Sequence, residues 1–150
     1  MKPLALFWWL LLLWLATACD LQVVGSAKSA PPLDKKVYLS ESDGAFTLYK
    51  DNQPFRIHGA SGDPRYIRQL AEAGGNCLRV YDTLGLAEVL DTALHYGIAI
   101  IADLPLPKSQ YLSFYQDQQQ VKAQFHAYRD FVRRHKDHPA LLMWMLGNEL

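Results

Sequence analysis

Four polar clusters follow apolar runs in this chain: His58-Gly59-Ala60-Ser61, Arg79-Val80-Tyr81-Asp82, Asp103-Leu104-Pro105 and Asn148-Glu149. Gathered at one rim they would offer a cation, an amide and carboxylates to a common mouth. That set suits binding and protonating a polyhydroxylated substrate. Other chemistries lack their parts. His135-x-x-His138 has no third ligand at a useful spacing, so no metal site is expected. Gly59-Ala60-Ser61-Gly62 is neither a nucleophile elbow nor a phosphate-binding glycine loop, and no Ser-His-Asp arrangement is visible, so no cofactor is expected.

Such groups need elements to position them. Residues 37–54 alternate with period two, with Asp43-Gly44 between Val37-Tyr38-Leu39 and Phe46-Thr47-Leu48-Tyr49, which predicts a short β-hairpin. The period then changes. Asp63-Pro64 caps a helix carrying Ile67, Leu70 and Ala71 and closed by Gly74-Gly75, and a second amphipathic helix over 86–96 stops at Gly97. A third, over 118–136, places Val121, Phe125, Tyr128 and Val132 on one face and ends before His138-Pro139. Apolar runs at 55–59, 77–81, 98–102 and 141–146 read as strands.

The order βαβαβαβ predicts a parallel sheet with right-handed crossovers, either doubly wound or closed. The missing glycine-rich loop favours closure. The expected fold is therefore α/β, the N-terminal half of a TIM (β/α)8 barrel preceded by a short hairpin. In a barrel, reacting groups sit at the C-terminal strand ends, where the four clusters fall.

Acidic and basic residues balance at 15 each, and no basic stripe exists, which argues against nucleic acid as a partner. Lys2, an apolar run at 4–15 and Ala16-Thr17-Ala18-Cys19 follow the order of a secretory signal, and the run is short for a membrane span of roughly 20 residues. Two cleavage readings stand. Ala16-x-Ala18 suits ordinary signal peptidase, whereas Ala-Thr-Ala-Cys looks like a lipobox with Cys19 as the lipid attachment site. The second gives an exported, membrane-anchored lipoprotein facing the periplasm or cell surface; the first gives a secreted one. The expected organisation is signal peptide 1–18, flexible tether 19–36, hairpin 37–54 and partial barrel 55–150 with strands one to four. Cys77, the other cysteine, lies in an apolar strand and reads as a buried core thiol.

Phe55-Arg56-Ile57-His58-Gly59, Gly75-Asn76-Cys77-Leu78-Arg79-Val80-Tyr81-Asp82, Gly97-Ile98 with Ala102-Asp103-Leu104-Pro105, and His138-Pro139 through Trp144-Met145-Leu146-Gly147-Asn148-Glu149-Leu150 carry a resemblance. The chain resembles the catalytic barrel of clan A glycoside hydrolases, nearest to family 2. Arg79-Val80-Tyr81-Asp82 is also similar to the β-1,3-glucan transferases of that clan. The resemblance implies Glu149 as general acid/base and Asn148 as partner of the sugar 2-hydroxyl. It also implies that Arg79 orients the nucleophilic carboxylate and keeps it ionised.

Plainer readings stand beside these. Asn148, Arg79, Tyr81 and Asp103 are the expected substrate-binding residues, although Arg79 could be a structural ion-pair partner, Asp82 and Asp103 could cap turns, and Tyr81 could pack as readily as face substrate. Tyr111, Phe114 and Tyr115 could stack on sugar rings or pack a loop. The clan's nucleophile sits at the seventh strand, and a barrel takes about 250 residues. The 150 residues are therefore expected to be a fragment of a retaining O-glycoside hydrolase acting on β-linked carbohydrate, inactive alone. The alternatives are a non-catalytic carbohydrate-binding surface lipoprotein and a β-glucan transglycosylase of the same clan.

Overall fold

The computed structural model describes residues 36–148. The expected signal peptide, Cys19, all but the last residue of the tether, and Glu149 lie outside the described residues.

The first sheet is antiparallel, with β1 (Val37–Ser42), β2 (Ala45–Lys50) and β3 (Gln53–Pro54) in that order. Two-residue turns make it. Asp43-Gly44 and Asp51-Asn52 each hold both residues at positive φ, the backbone whose twist matches right-handed strands. Tyr38 stacks on its cross-strand partner Tyr49 with centroids 5.0 Å apart.

The second sheet is wholly parallel: β4 (Gly59–Ser61), β5 (Cys77–Val80), β6 (Ala99–Leu104) and β7 (Leu141–Leu146), in sequence order. Among the described residues, strands β4 and β7 each have a ladder neighbour on one side only. Between β4 and β5, Asp63 caps a 3-10 turn at Pro64–Tyr66 by accepting from the Arg65 N–H at 2.8 Å, and the turn runs into α1 (Ile67–Glu72). Helix α2 (Leu86–His95) joins β5 to β6. Two helices, α3 (Leu112–Gln116) and α4 (Gln118–His135), join β6 to β7.

Neighbours in a parallel ladder share a face, so the sheet has two different sides. On one, Leu78, Val80, Ile100, Ala102 and Leu141 bury against Ile67, Leu86, Leu90 and Ala93 of α1 and α2, flanked by Phe131 and Trp144. On the other, Cys77, Ala99 and Leu142 meet Val37, Leu48 and Phe55, so the antiparallel sheet covers the N-terminal end of that face. Its C-terminal end carries Arg79 and Asp103. Close approach of β4 to β5 demands glycine at position 59, where a Cβ would lie 2.1 Å from the Cys77 carbonyl oxygen.

The structure adds to or departs from the sequence expectations in five places. The first parallel strand is Gly59–Ser61 rather than 55–59: Phe55 owes its apolar character to packing under the antiparallel sheet, not to ladder pairing. Strand β6 continues to Leu104, which puts Asp103 inside a strand. The β6–β7 register shifts between Ile100 and Ile101, which pair with Leu141 and Met143, so Leu142 is an extra residue on β7. Finally, α3 precedes the long helix. Phe125 also leaves the expected buried face of α4 and is 63% exposed, while Val121, Tyr128 and Val132 are half-buried.

Two predictions follow from single positions. Cys77 is buried and unpaired, and burial pushes its thiol up to about 11, so thiolate is scarce at neutral pH. Iodoacetamide at pH 8 should label it in denaturant but not in the native protein, by intact mass; fast native labelling would contradict its burial. Asp117 caps α4 by accepting from the N–H groups of Gln119 and Gln120 at 2.9 and 3.2 Å. Its carboxyl is held below the usual range, first by the Gln120 side-chain amide and then by those backbone donors. A lowered native value means the cap's contribution is complete above the ordinary value of about 3.9 and fades as pH falls through the native one. The melting-temperature gap between wild type and Asp117→Ala should therefore be present at pH 7 and shrink in acid.

Candidate active site

Arg79 on β5 pairs with Ile101 on β6, and Asp103 lies two residues further along β6, so both side chains leave the same face as diagonal neighbours. The contact is a fork. Arg79 Nε donates to Asp103 Oδ1 at 2.9 Å and Nη2 donates to Oδ2 at 2.7 Å. Asp103 is 2% exposed, the one buried charged residue among those described. Burying a carboxylate is costly unless it is paired and hydrogen-bonded, and the guanidinium meets that need in its most specific geometry. The same hydrogen bonds, chiefly, raise the pKa of Arg79 further above its usual value and keep it a cation.

A third strand closes the arrangement. Pairing of β6 with β7 runs to Leu104 and Leu146, and the Gly147 N–H still donates to the Leu104 carbonyl at 3.0 Å. Gly147 then turns with φ +72°, a conformation costly for residues with a Cβ, and Asn148 meets Arg79. Arg79 Nη2 donates to Asn148 Oδ1 at 2.9 Å. Because a guanidinium has only donors, the amide oxygen must face it, and the Asn148 Nδ2 group is left as a donor. The Tyr81 ring flanks this cation, with Arg79 Cζ 5.0 Å from its centroid, and Tyr81 remains 49% exposed.

Arg79, Tyr81, Asp103 and Asn148 are thus brought together, and Ser61 of β4 stands level with Arg79. Other candidates are elsewhere. Asp82 Oδ1 accepts from the Leu84 N–H at 2.9 Å and caps its turn. His58 precedes β4, away from the rim, and its N–H donates to Asn76 Oδ1 at 2.8 Å. Asn76 also donates through Nδ2 to the Arg56 carbonyl at 2.8 Å, so its side chain staples the approach to β4. That role was missed in the sequence, where the only signal was an Asn opening a strand.

His135 Nδ1 lies 2.9 Å from the Phe131 carbonyl, within its own helix. The Ala140 N–H donates to His138 Nδ1 at 3.2 Å, so Nε2 carries the hydrogen facing Asp91 Oδ1 at 3.2 Å. Among the described residues no cluster of three or more metal-ligating side chains occurs. In the β6–β7 connection the Tyr115 and Tyr128 hydroxyls donate to the Pro107 and Pro105 carbonyls, whereas Tyr111 is 55% exposed.

A cleft of about 400 Å³ opens beside Tyr81, lined also by Gly62, Asp82, Leu84 and Val89. A larger groove of about 470 Å³ lies between α1 and α2 and contains none of the strand-end groups, so it is remote from any chemistry placed here.

These features define an α/β protein with a parallel sheet whose ionised and amide groups meet at the C-terminal strand ends, the arrangement of barrel enzymes. Residues 74–150, just over half of the chain, match the glycosyl hydrolases family 2, TIM barrel domain, and the chain belongs to that family. No curated protein matches it.

Proposed function

We propose that the chain supplies the acid/base side of a retaining O-glycoside hydrolase acting on β-linked carbohydrate, with Glu149 as general acid/base. The observation that carries this reading is the Asp103–Arg79–Asn148 network, which holds the residue next to Glu149 at the strand ends of a family 2 barrel domain. Glu149 protonates the departing glycosidic oxygen and then draws a proton from water. Asn148 hydrogen-bonds the sugar 2-hydroxyl, a contact that strengthens as positive charge grows at the anomeric carbon.

Retention needs a second carboxylate about 5–5.5 Å from the first. Asp103 is buried under Arg79 and Asp82 caps a turn, so neither is offered as nucleophile. We assign it to a later strand of the barrel. The one-sided pairing of β4 and β7 supports further strands at both edges. The Nη1 group of Arg79, which donates to none of the described residues, is suited to receive that carboxylate.

The test is the whole gene product on aryl β-glycosides, with the first-formed anomer followed by proton NMR. Release of the β-anomer is expected; an α-anomer first, or sugar binding with no turnover, would overturn the reading. Longer oligosaccharides among the products would mark transglycosylation. Residues 1–150 alone should release no chromophore, and release abolished by Glu149→Gln would refute the assignment of the nucleophile to a later strand.

We also propose export with a lipid on Cys19. The support is the charged, apolar and small-residue order of the first nineteen positions. Among the described residues no helix is long and apolar enough to cross a membrane. Diacylglycerol mass on an N-terminal peptide beginning at Cys19 is expected; a mature chain beginning there unmodified would overturn it.

A further inference from the structure

We propose that Asp103 is a positioning residue that acts through Arg79 to fix the amide of Asn148, so that the site selects sugars carrying a hydrogen-bond acceptor at the position Asn148 reaches. This rests on the hydrolase reading above and deepens it.

A free asparagine amide can flip, presenting either a carbonyl or an NH2 to a ligand. Here Arg79 removes that freedom, because its Nη2 donates at 2.9 Å to Asn148 Oδ1, which fixes the carbonyl toward the guanidinium and leaves the NH2 as the donor for a substrate. Arg79 would itself be a long side chain with several rotamers. It is held by two hydrogen bonds of 2.9 and 2.7 Å to a carboxylate that is 2% exposed and embedded in β6, and its other side lies against the Tyr81 ring.

The order of dependence therefore runs from the most rigid member outward: Asp103 in the ladder, Arg79 at 23% side-chain exposure, then exposed Asn148. Among the described residues the side-chain hydrogen bonds of Asp103 go to Arg79, and at 2% exposure it acts on a substrate through that residue. A site built to donate to a substrate hydroxyl rejects analogues lacking it, because its own donor is then left unpaired.

The experiment uses the full-length enzyme with paired aryl β-glycosides, one bearing the hydroxyl that Asn148 addresses and one the corresponding 2-deoxy sugar. Asp103→Asn keeps the shape but lacks the charge and the second acceptor. It should lower kcat on the hydroxylated substrate by about 10- to 100-fold, somewhat below the 10²–10³ lost with a preorganised donor itself. KM and the rate on the deoxy substrate should move less than about threefold, so that discrimination collapses.

Arg79→Lys provides the second route, should Asp103→Asn fold poorly. A lysine is a point donor that cannot span both oxygens of Asp103 and Asn148 together. It should lower both rates, because Arg79 also receives the nucleophile, but the rate on the hydroxylated substrate more, so that discrimination again collapses. Equal losses on both substrates, or no loss on either, with an active wild type would overturn the positioning role alone. A wild type that turns over neither substrate would sink the hydrolase reading and this inference with it.

Discussion

Replacing Glu149 with Gln in the full-length enzyme should lower kcat on an alkyl β-glycoside by about 10²–10⁴-fold, the usual contribution of a positioned general acid. Gln keeps the size and one acceptor but has no proton to give. The loss should depend on the leaving group. Dinitrophenolate departs without protonation, so formation of the glycosyl-enzyme should be nearly spared with a dinitrophenyl glycoside. Hydrolysis of that intermediate still needs a base, so it should accumulate and appear as a burst. In Glu149→Ala, azide needs no deprotonation and should restore turnover as the β-glycosyl azide. A uniform loss on both leaving groups, with no azide product, would exclude Glu149 as the acid/base and point to the structural role of a strand-end residue.

The second large effect is on stability. Leu90 is 0% exposed and joins α2 to the helix-covered face of the sheet, in a cluster with Leu78, Val80, Ile98 and Ile100. Leu90→Ala removes buried methyl groups and leaves a cavity that rigid strands cannot collapse into, which costs about 2–5 kcal/mol. Against a typical stability of roughly 5–15 kcal/mol, that is a large fraction. Leu90→Met conserves volume and should cost less than about 1.5 kcal/mol. Denaturant unfolding of the whole protein measures both. An Ala variant within about 1 kcal/mol of wild type would mean that α2 is not seated on the sheet as described.

Much of the local structure was legible because its causes are local. Asp63-Pro64 sets the first helical turn through one side-chain hydrogen bond and one fixed φ. Asp43-Gly44 makes a hairpin turn through its own backbone preference. Continuous apolar runs reported strands covered on both faces, and their alternation with amphipathic segments reported a parallel sheet. The glycosidase resemblance was likewise legible, because the stretch ending in Gly147-Asn148-Glu149 is contiguous. Phe55 and Phe125 misled for one shared reason. Apolar character reports a preference for burial, but not which surface supplies the burial or whether any does: Phe55 packs under the antiparallel sheet outside the ladder, and Phe125 stays exposed.

The sequence by itself thus determined the order and kind of the elements and which chemical groups stand at the strand ends. Only the tertiary structure decided whom those groups meet. Arg79 reaches partners 24 and 69 residues away, through the β5–β6 register, the extra Leu142 on β7 and the turn at Gly147. None of these is a property of the residues around Arg79. Register is a choice among long-range pairings, selected by the packing of a whole sheet, and it converted an aspartate that could have capped a turn into the buried anchor of the site.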